Sequence, residues 1–396
     1  MKTKQLFVEV IIGTVLVANA ASNVELNAGE TYVVSEKSDS EMVTETPRND
    51  GVDPVVAQDK PLRQAKDRPN ILFIAIDDMN DWTGFLGGHP QTKTPNLDRL
   101  AEKGVNFVNA HCPAPGCSPS RNALLYGVEP FHSGLYPFYD GKGNSKELFT
   151  KYTSLPQFFK EHGYNTYGSG KIHHESKAEP KEWTDYCRPT HKLIYKPEAG
   201  YQIGESRKMA FCPTTNPLEE HPDYEVASYG IEVLNKKHDK PFFLGVGIVR
   251  PHLPFVCPQR FFDALPEQIL PPPLKADDHS DIPWEGRAMS WLGDDLQFTK
   301  DKAWNRVRRA YLACISWTDF NVGRVLDALE KSPYAQNTII VVWSDHVIAQ
   351  LPKEEAPLVK QGYAKWSLVG ADSPRGPAMK ERWKQWQSKM NPPLPD

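Results

Sequence analysis

The sequence predicts an α/β fold in which a mostly parallel sheet carries helices on both faces. Apolar runs of strand length alternate with helical patterns along the chain, which is the order typical of such sheets. The first run, residues 70–76, is apolar over nearly its whole length, as expected of a strand buried on both faces. Hydrophobic residues make up 39% of the 396 residues, which is enough to form a substantial core.

The predicted elements after this strand continue the alternation. Thr94 and Pro95 are suited to the N-cap and first position of a helix that ends at Gly104. The other helical patterns cover residues 155–162, 224–237 and 306–329, and the other apolar strands cover residues 242–249 and 338–343. Residues 251–300 are rich in proline, and we expect an irregular excursion over the surface there.

The first 67 residues differ in composition from the rest. Lys2 and Lys4 precede an apolar run, and small residues at positions 18–20 are suited to recognition by a signal peptidase. Residues 1–20 are therefore predicted to be a signal peptide, which implies a periplasmic or secreted protein. Residues 21–67 are polar and show neither structural period, so we expect a flexible leader. The other apolar runs are shorter than a membrane span, and no stable membrane anchor is expected.

The net charge and the cysteine content limit the ligands and the disulfides that the sequence predicts. A formal net charge of −4 gives no general attraction to nucleic acid, so a local cluster of cations would have to hold an anionic substrate. Among the six cysteines, Cys187 and Cys212 bracket a loop-like segment and form the candidate disulfide. Cys314 lies in a helical pattern and is expected to be a buried free thiol.

Cys117 lies where a loop rich in Pro, Gly and Ser gives way to an apolar helical run. Its side chain is expected at the helix N-terminus, where unpaired N–H groups favour a thiolate. A single cysteine in a loop is nevertheless more often a disulfide partner or an inert thiol.

Carboxylates follow two of the predicted strands. Asp77 and Asp78 come directly after the first strand, and Asp345 with His346 follows the last one. Ligands bind beyond the carboxyl ends of the strands in such sheets, and carboxylate oxygens are the ligands that Ca²⁺ or Mg²⁺ prefers. Taken alone, an Asp-Asp pair is more often a helix cap or a solvated turn.

Two segments resemble the signatures of a known family. Residues 117–121 read Cys-Ser-Pro-Ser-Arg, and residues 163–174 fit the pattern G-Y-x-T-x-x-x-G-K-x-x-H. Both resemble the ordered signatures of the type I sulfatases, in which a formylglycine-generating enzyme oxidises the cysteine of C-x-P-S-R to formylglycine. The first signature departs from the family at Tyr126, where the family usually has Thr.

Three further segments are most similar to the iduronate-2-sulfatase branch of that family: residues 68–78, 247–255 and 322–329. The resemblance extends over residues 68–346, which we predict to be the catalytic domain. It implies an alkaline-phosphatase-like (sulfatase) fold. It also implies a sulfuric ester hydrolase whose substrate is a sulfated sugar, a sulfated polysaccharide or a small sulfate ester.

The resemblance implies a metal site and a nucleophile. The implied ligands of a Ca²⁺ ion, with Mg²⁺ as the other suitable ion, are Asp77, Asp78, Cys117, Asp345 and His346. Formylglycine made from Cys117 hydrates to a diol, and a divalent ion activates one of its hydroxyls toward sulfur.

The resemblance also assigns the cationic side chains. Arg121 holds the diol, Lys171 binds sulfate or the leaving oxygen, and His174 and His252 are candidate proton donors. His252 and Lys171 also count as substrate-binding residues. Lys365, in a displaced version of the family's W-x-K, is the candidate for a second sulfate-binding lysine.

The resemblance ends after His346. The family continues D-H-G-x-x-L-G-E, whereas this chain reads Asp345-His346-Val347-Ile348-Ala349-Gln350. Residues 347–396 are predicted to be a divergent, shortened C-terminal region, so that the C-terminal subdomain is truncated and a sheet edge is left open.

Two other functions stay open. A phosphomonoester or phosphonate hydrolase of the same superfamily is disfavoured by the complete Cys-Ser-Pro-Ser-Arg motif. A degenerate, inactive sulfatase that only binds sulfated glycan is favoured by the altered C-terminal region.

Overall fold

The structure is a computed structural model that describes residues 15–19, 68–107, 110–114, 116–133, 150–174, 180–193, 195–202, 210–272 and 298–346. Its strands are β1 (Val15–Asn19), β2 (Asn70–Ile76), β3 (Val105–Phe107), β4 (Asn165–Gly170), β5 (Asp185–Cys187), β6 (Pro213–Thr214), β7 (Phe242–Ile248), β8 (Cys257–Pro258) and β9 (Thr338–Ser344). Its helices are α1 (Pro95–Lys103), α2 (Cys117–Tyr126), α3 (Pro130–Ser133), α4 (Leu155–Glu161), α5 (Pro222–Asn235), α6 (Gln259–Asp263) and α7 (Trp304–Lys331).

A seven-stranded sheet with the order β3-β1-β9-β2-β7-β4-β5 organises the chain. Five neighbouring strands, from β9 to β5, run parallel, whereas β1 is antiparallel to both of its neighbours. Strands β6 and β8 form a separate parallel pair. The prediction of a mostly parallel sheet is therefore confirmed.

Side chains of the central strand β2 pack into apolar clusters on both faces of the sheet. Leu72, Ile74 and Ile76 are fully buried in one apolar cluster, which also includes residues of α5 and α7. Phe73 and Ala75 belong to a cluster on the other side, with Phe243 and Trp343. Alternate side chains of one strand thus fill two cores, which confirms the interpretation of its apolar run.

Helix α1 begins at Pro95 as predicted, but its N-terminus is capped from elsewhere in the fold. The Thr94 side chain makes no capping hydrogen bond, and its hydroxyl instead donates to Asp98 at 2.9 Å. The carboxylate of Asp319, on α7, accepts hydrogen bonds from the backbone N–H groups of Asn96 at 3.1 Å and Leu97 at 2.8 Å. A tertiary contact therefore satisfies the donors that a local cap was expected to satisfy.

Strand β1 lies within the run interpreted as a signal peptide, and the assignment of residues 1–20 stays a prediction. Strand β1 pairs with β9 on the side opposite β2, so this edge of β9 is open only in a chain that lacks residues 15–19. The expected excursion after residue 251 is not wholly irregular, since it contains β8 and α6. The leader at 21–67, the region from 347 onward and Lys365 lie outside the described residues.

The predicted disulfide between Cys187 and Cys212 is wrong. Neither Cys187 nor Cys212 forms a disulfide. Cys187 lies on β5 and packs against the core beneath the main sheet, whereas Cys212 precedes β6 and belongs to a separate cluster with Ala210 and Val256. Cys314 is a fully buried free thiol, as predicted. None of the helices in the described residues combines the length and apolar character that crossing a bilayer requires.

Candidate active site

The carboxyl ends of β2 and β9 meet the N-terminus of α2. Ligand atoms of Asp77, Cys117, Asp345 and His346 all lie within 4.8 Å of one another, and all four residues are buried. The backbone N–H of Asp345 donates to the carbonyl of Ile76 at 3.1 Å, which joins the two strand ends. Four of the five predicted metal-site residues therefore converge, although they are far apart in the sequence.

Asp78, the fifth residue, lies beside this group. Its φ of 63° is in the left-handed region, which is uncommon for a residue with a side chain. Two contacts support this turn: its N–H donates to Asp345 Oδ1 at 3.0 Å, and its carbonyl accepts from the Tyr311 hydroxyl at 2.9 Å. The turn leaves Asp78 Oδ1 at 3.5 Å from His346 Nδ1.

Arg121 is fully buried and connects both carboxylates. Its Nε donates to Asp345 Oδ2 at 2.8 Å, and its Nη2 donates to Asp77 Oδ1 at 3.2 Å. Its Nη1 donates to the carbonyls of Lys171 and Ile172. The described contacts of Arg121 thus hold the carboxylates and the loop after β4 in place.

Lys171 forms the partly exposed side of the site. Its Nζ lies 2.5 Å from Asp77 Oδ2, and its backbone N–H donates to the carbonyl of Gly247 at 2.9 Å. A Cβ at Gly247 would lie 2.3 Å from the carbonyl carbon of Lys171. Glycine is therefore required on β7 for the loop after β4 to approach this closely.

The pKa values of Asp77 and Asp345 are shifted in opposite directions. Burial raises the pKa of Asp77, but Arg121, a hydrogen bond with Asp345, and Lys171 together hold it well below its usual range. Burial raises the pKa of Asp345, Arg121 opposes this, and the adjacent Asp77 raises it further, so its pKa lies above the usual range. Two adjacent carboxylates compete for ionisation, so the pKa of one falls while that of the other rises.

The expectation that the helix N-terminus favours a Cys117 thiolate is wrong. Burial, followed by the negative charge of Asp77, raises the pKa of this thiol to about 12. Desolvation and the adjacent carboxylates outweigh the helix N-terminus and the nearby cations. The Sγ atom lies 3.0 Å from His346 Nε2.

The donor set fits a divalent cation. The oxygens of Asp77 and Asp345 are hard ligands, and a bound cation would relieve the repulsion between them. Sγ of Cys117 stands where the resemblance places an oxygen of formylglycine. The thiol and the imidazole of His346 are softer ligands, and an oxygen in place of Sγ would shift the set toward Ca²⁺ or Mg²⁺.

The two candidate proton donors lie on separate loops. The backbone N–H of His252 donates to the carbonyl of Asp77 at 3.1 Å, and the charge of His252 contributes to lowering the pKa of Asp77. His174 is half-buried and lies three residues beyond Lys171 in the loop after β4.

Two acidic residues near these loops were missed from the sequence. Asp223 accepts hydrogen bonds from the backbone N–H groups of Val249 at 2.8 Å and Arg250 at 3.1 Å, which orients the loop of His252. Glu182 contacts His173, which precedes His174. Asp223 lies in the first turn of a helix, where an acidic residue indicates only a favourable interaction with the helix dipole. No sequence pattern around Glu182 indicates its contact with His173.

A protein-family model described as Sulfatase matches residues 69–371 of the chain. A protein of Formosa agariphila named sulfatase is 36% identical over 310 residues, which cover 72% of this chain and 60% of the relative. The iduronate 2-sulfatase of Mus musculus is 31% identical over 309 residues, covering 71% of this chain and 55% of the relative. The chain thus spans little more than half the length of these relatives.

The fold also matches a solved structure. The phosphonate monoester hydrolase of Agrobacterium radiobacter aligns with a TM-score of 0.53 and 20% identity, over 71% of this chain and 63% of that protein. At this identity the likeness concerns the fold alone.

Proposed function

The chain belongs to the sulfatase family and has its alkaline-phosphatase-like fold, and on that premise we propose that it hydrolyses sulfate esters. One observation carries the proposal. The cysteine of an intact Cys-Ser-Pro-Ser-Arg motif lies within 4.8 Å of ligand atoms of two buried carboxylates, and Lys171 borders the same site. A nucleophile site, a candidate cation site and a cation for the sulfate thus occur together.

The nucleophile is proposed to come from Cys117 through oxidation to formylglycine by a formylglycine-generating enzyme. The unmodified thiol is 4% exposed and has a pKa of about 12, so it is a poor nucleophile where it stands. Conversion would place oxygen in a pocket already lined by carboxylates and an imidazole.

The proposed metal ligands are Asp77, Asp78, Asp345, His346 and the converted Cys117, with Ca²⁺ as the expected ion and Mg²⁺ as the alternative. A divalent cation held there supplies Lewis acidity to the nucleophilic oxygen. Arg121 keeps Asp77 and Asp345 in a fixed orientation through charge-assisted hydrogen bonds.

The remaining residues act on the substrate. Lys171, whose Nζ lies at the edge of the site, neutralises sulfate oxygens and the developing charge on the leaving oxygen. His252 and His174 are proposed to donate a proton to the leaving alcohol. Lys365 is proposed as a further sulfate-binding lysine.

The proposed substrate is a sulfated sugar or polysaccharide, with small sulfate esters as alternatives. The name of the mouse relative, iduronate 2-sulfatase, supports a sulfated sugar. The signal-peptide pattern supports a periplasmic or secreted protein, where such glycans are accessible.

The test is coexpression with a formylglycine-generating enzyme, followed by peptide mass analysis and assays on matched aryl sulfate and aryl phosphate esters. In the tryptic peptide 104–121, Cys117 should lose one sulfur and two hydrogens and gain one oxygen, while Cys112 stays unchanged as an internal control. The sulfate ester should be hydrolysed, and Cys117→Ala should abolish this. Preferential hydrolysis of the phosphate ester would identify a phosphoesterase instead. An unmodified peptide without hydrolysis would identify a degenerate sulfatase.

A further inference from the structure

Glu182 is a buried carboxylate that has no part in the proposed chemistry. Its residue is 1% exposed. Burial raises its pKa, but the adjacent His173 holds the pKa below its usual range. An ionised carboxylate at this depth needs partners, and the partners of Glu182 lie beside the loop that carries Lys171 and His174.

Two side chains contact the same oxygen of Glu182. The Nε2 atom of His173 lies 3.2 Å from Oε1, and the hydroxyl of Tyr126 donates to Oε1 at 3.4 Å. The Tyr126 and His173 rings also lie near each other, with centroids 6.1 Å apart. All three residues are buried.

We propose that Glu182, His173 and Tyr126 form an anchor that positions Lys171 and His174 for sulfate binding and proton transfer. This catalytic consequence rests on the proposed sulfatase function. None of the three residues touches the reacting atoms in this proposal, so each is a positioning residue.

Glu182 is suited to this role because β4 holds its backbone. The hydroxyl of Thr166, on β4, donates to the carbonyl of Glu182 at 2.7 Å. The N–H of Thr184 donates to the carbonyl of Thr166, also at 2.7 Å. The carboxylate therefore projects from a segment fixed to the sheet, and the contact to His173 transfers that rigidity to the loop.

Helix α2 holds the same loop at two points. Arg121 donates to the carbonyls of Lys171 and Ile172. Tyr126, in the last turn of the helix, donates to Glu182, which contacts His173 of the loop. Cys117 begins this helix. A single rigid element thus sets the distance between the nucleophile position and the cationic loop.

Tyr126 also accounts for the departure from the family signature. A threonine hydroxyl lies on Cβ, whereas a tyrosine hydroxyl lies at the far end of the ring, several bonds further from the backbone. The phenol can therefore reach the buried carboxylate from the end of α2. In this proposal, Tyr126 therefore acts together with Glu182 and His173 in one contact.

The test compares Glu182→Gln and Tyr126→Phe in the full-length, formylglycine-containing protein. Glutamine keeps the shape of Glu182 but removes the charge, and phenylalanine removes only the hydroxyl. Tyr334→Phe is the matched control, because Tyr334 precedes β9 and also makes hydrogen bonds through its hydroxyl. This hydroxyl donates to the carbonyl of Lys236 at 2.8 Å and accepts from the N–H of His238 at 3.0 Å. The measurements are kcat and KM on a sugar sulfate, the melting temperature, and amide hydrogen exchange at residues 172–174.

Glu182→Gln should lower kcat about tenfold or more and also raise KM, because misplacing His174 impairs proton transfer and misplacing Lys171 weakens sulfate binding. Tyr126→Phe should lower kcat by about threefold, since its long hydrogen bond is the weaker contact. Amide exchange at 172–174 should accelerate in both variants. Tyr334→Phe should affect the melting temperature alone.

Wild-type exchange and wild-type kcat in Glu182→Gln would overturn the anchor. A wild-type protein without sulfatase activity would refute the proposed function, while the exchange rates would still decide whether Glu182 holds the loop. If Glu182→Gln fails to fold, Tyr126→Phe decides, because it removes a single oxygen atom.

Discussion

Arg121 Nε donates to Asp345 Oδ2 at 2.8 Å, which joins helix α2 to the end of β9 across 224 residues of sequence. Both side chains are completely buried. The guanidinium reaches Asp77 as well, so one cation compensates two carboxylates in a region that water does not reach. The arrangement makes the integrity of the fold depend on the same groups as the proposed chemistry.

Replacing Arg121 should therefore destabilise the protein strongly. In the metal-free chain, Arg121→Met leaves buried Asp345 without its cation and Asp77 with Lys171 alone, and we expect a loss of about 3 to 5 kcal/mol in the free energy of unfolding. Arg99→Met is the control, because Arg99 pairs with Asp327 and Glu330 at the surface and its loss should cost less than about 1 kcal/mol. Urea unfolding of both variants measures the difference, and similar losses would contradict this account.

Asp345→Asn should lower turnover of a sulfate ester by more than about a hundredfold, since the metal site loses one of its hard ligands. Removing metal from the wild-type protein with a chelator should have a similar effect, and adding Ca²⁺ should restore activity. Turnover measured before and after chelation checks this. Full activity in excess chelator would exclude the proposed role of the carboxylates.

The unmodified Cys117 thiol should resist alkylation in the native protein. Its pKa of about 12 leaves little thiolate at pH 8, and its residue is 4% exposed. Half-buried Cys112 provides a comparison within the same tryptic peptide. Iodoacetamide labelling followed by fragment mass analysis should modify Cys112 first and Cys117 only after denaturation. Equal labelling rates in the native state would show that the thiol is accessible.

His221 should make the folded protein less stable in mild acid. Burial, with a contribution from Arg250, lowers its pKa from 6.5 to about 4. Between these pH values the unfolded chain binds a proton at this residue and the folded chain does not, so stability is lost as the pH falls. The contribution is at most about 3 kcal/mol. His221→Gln should reduce the difference in unfolding free energy between pH 7 and pH 5, whereas His132→Gln, at an exposed position, is the control.

The sequence by itself determined three adjacent strands, β2, β7 and β9, and most helices of the described region, but not β4 or the shorter strands. Residues 70–76 and 242–248 are apolar runs because both faces of a parallel strand are covered. Burial of this kind can therefore be predicted from the local sequence. The motif around Cys117 likewise identified where a loop enters a helix. The convergence of Asp77 with Asp345 could be anticipated, since parallel strands end at one edge of the sheet.

Only the tertiary structure decided how these groups affect one another. The raised pKa of Cys117 depends on burial and on Asp77, and the capping of α1 depends on Asp319, so both rest on partners distant in the sequence. Cys187 and Cys212 are separate because they lie in different clusters, which their spacing could not reveal. Periodicity records whether a residue is buried, whereas charge compensation, acidity and positioning depend on which residues share that buried space.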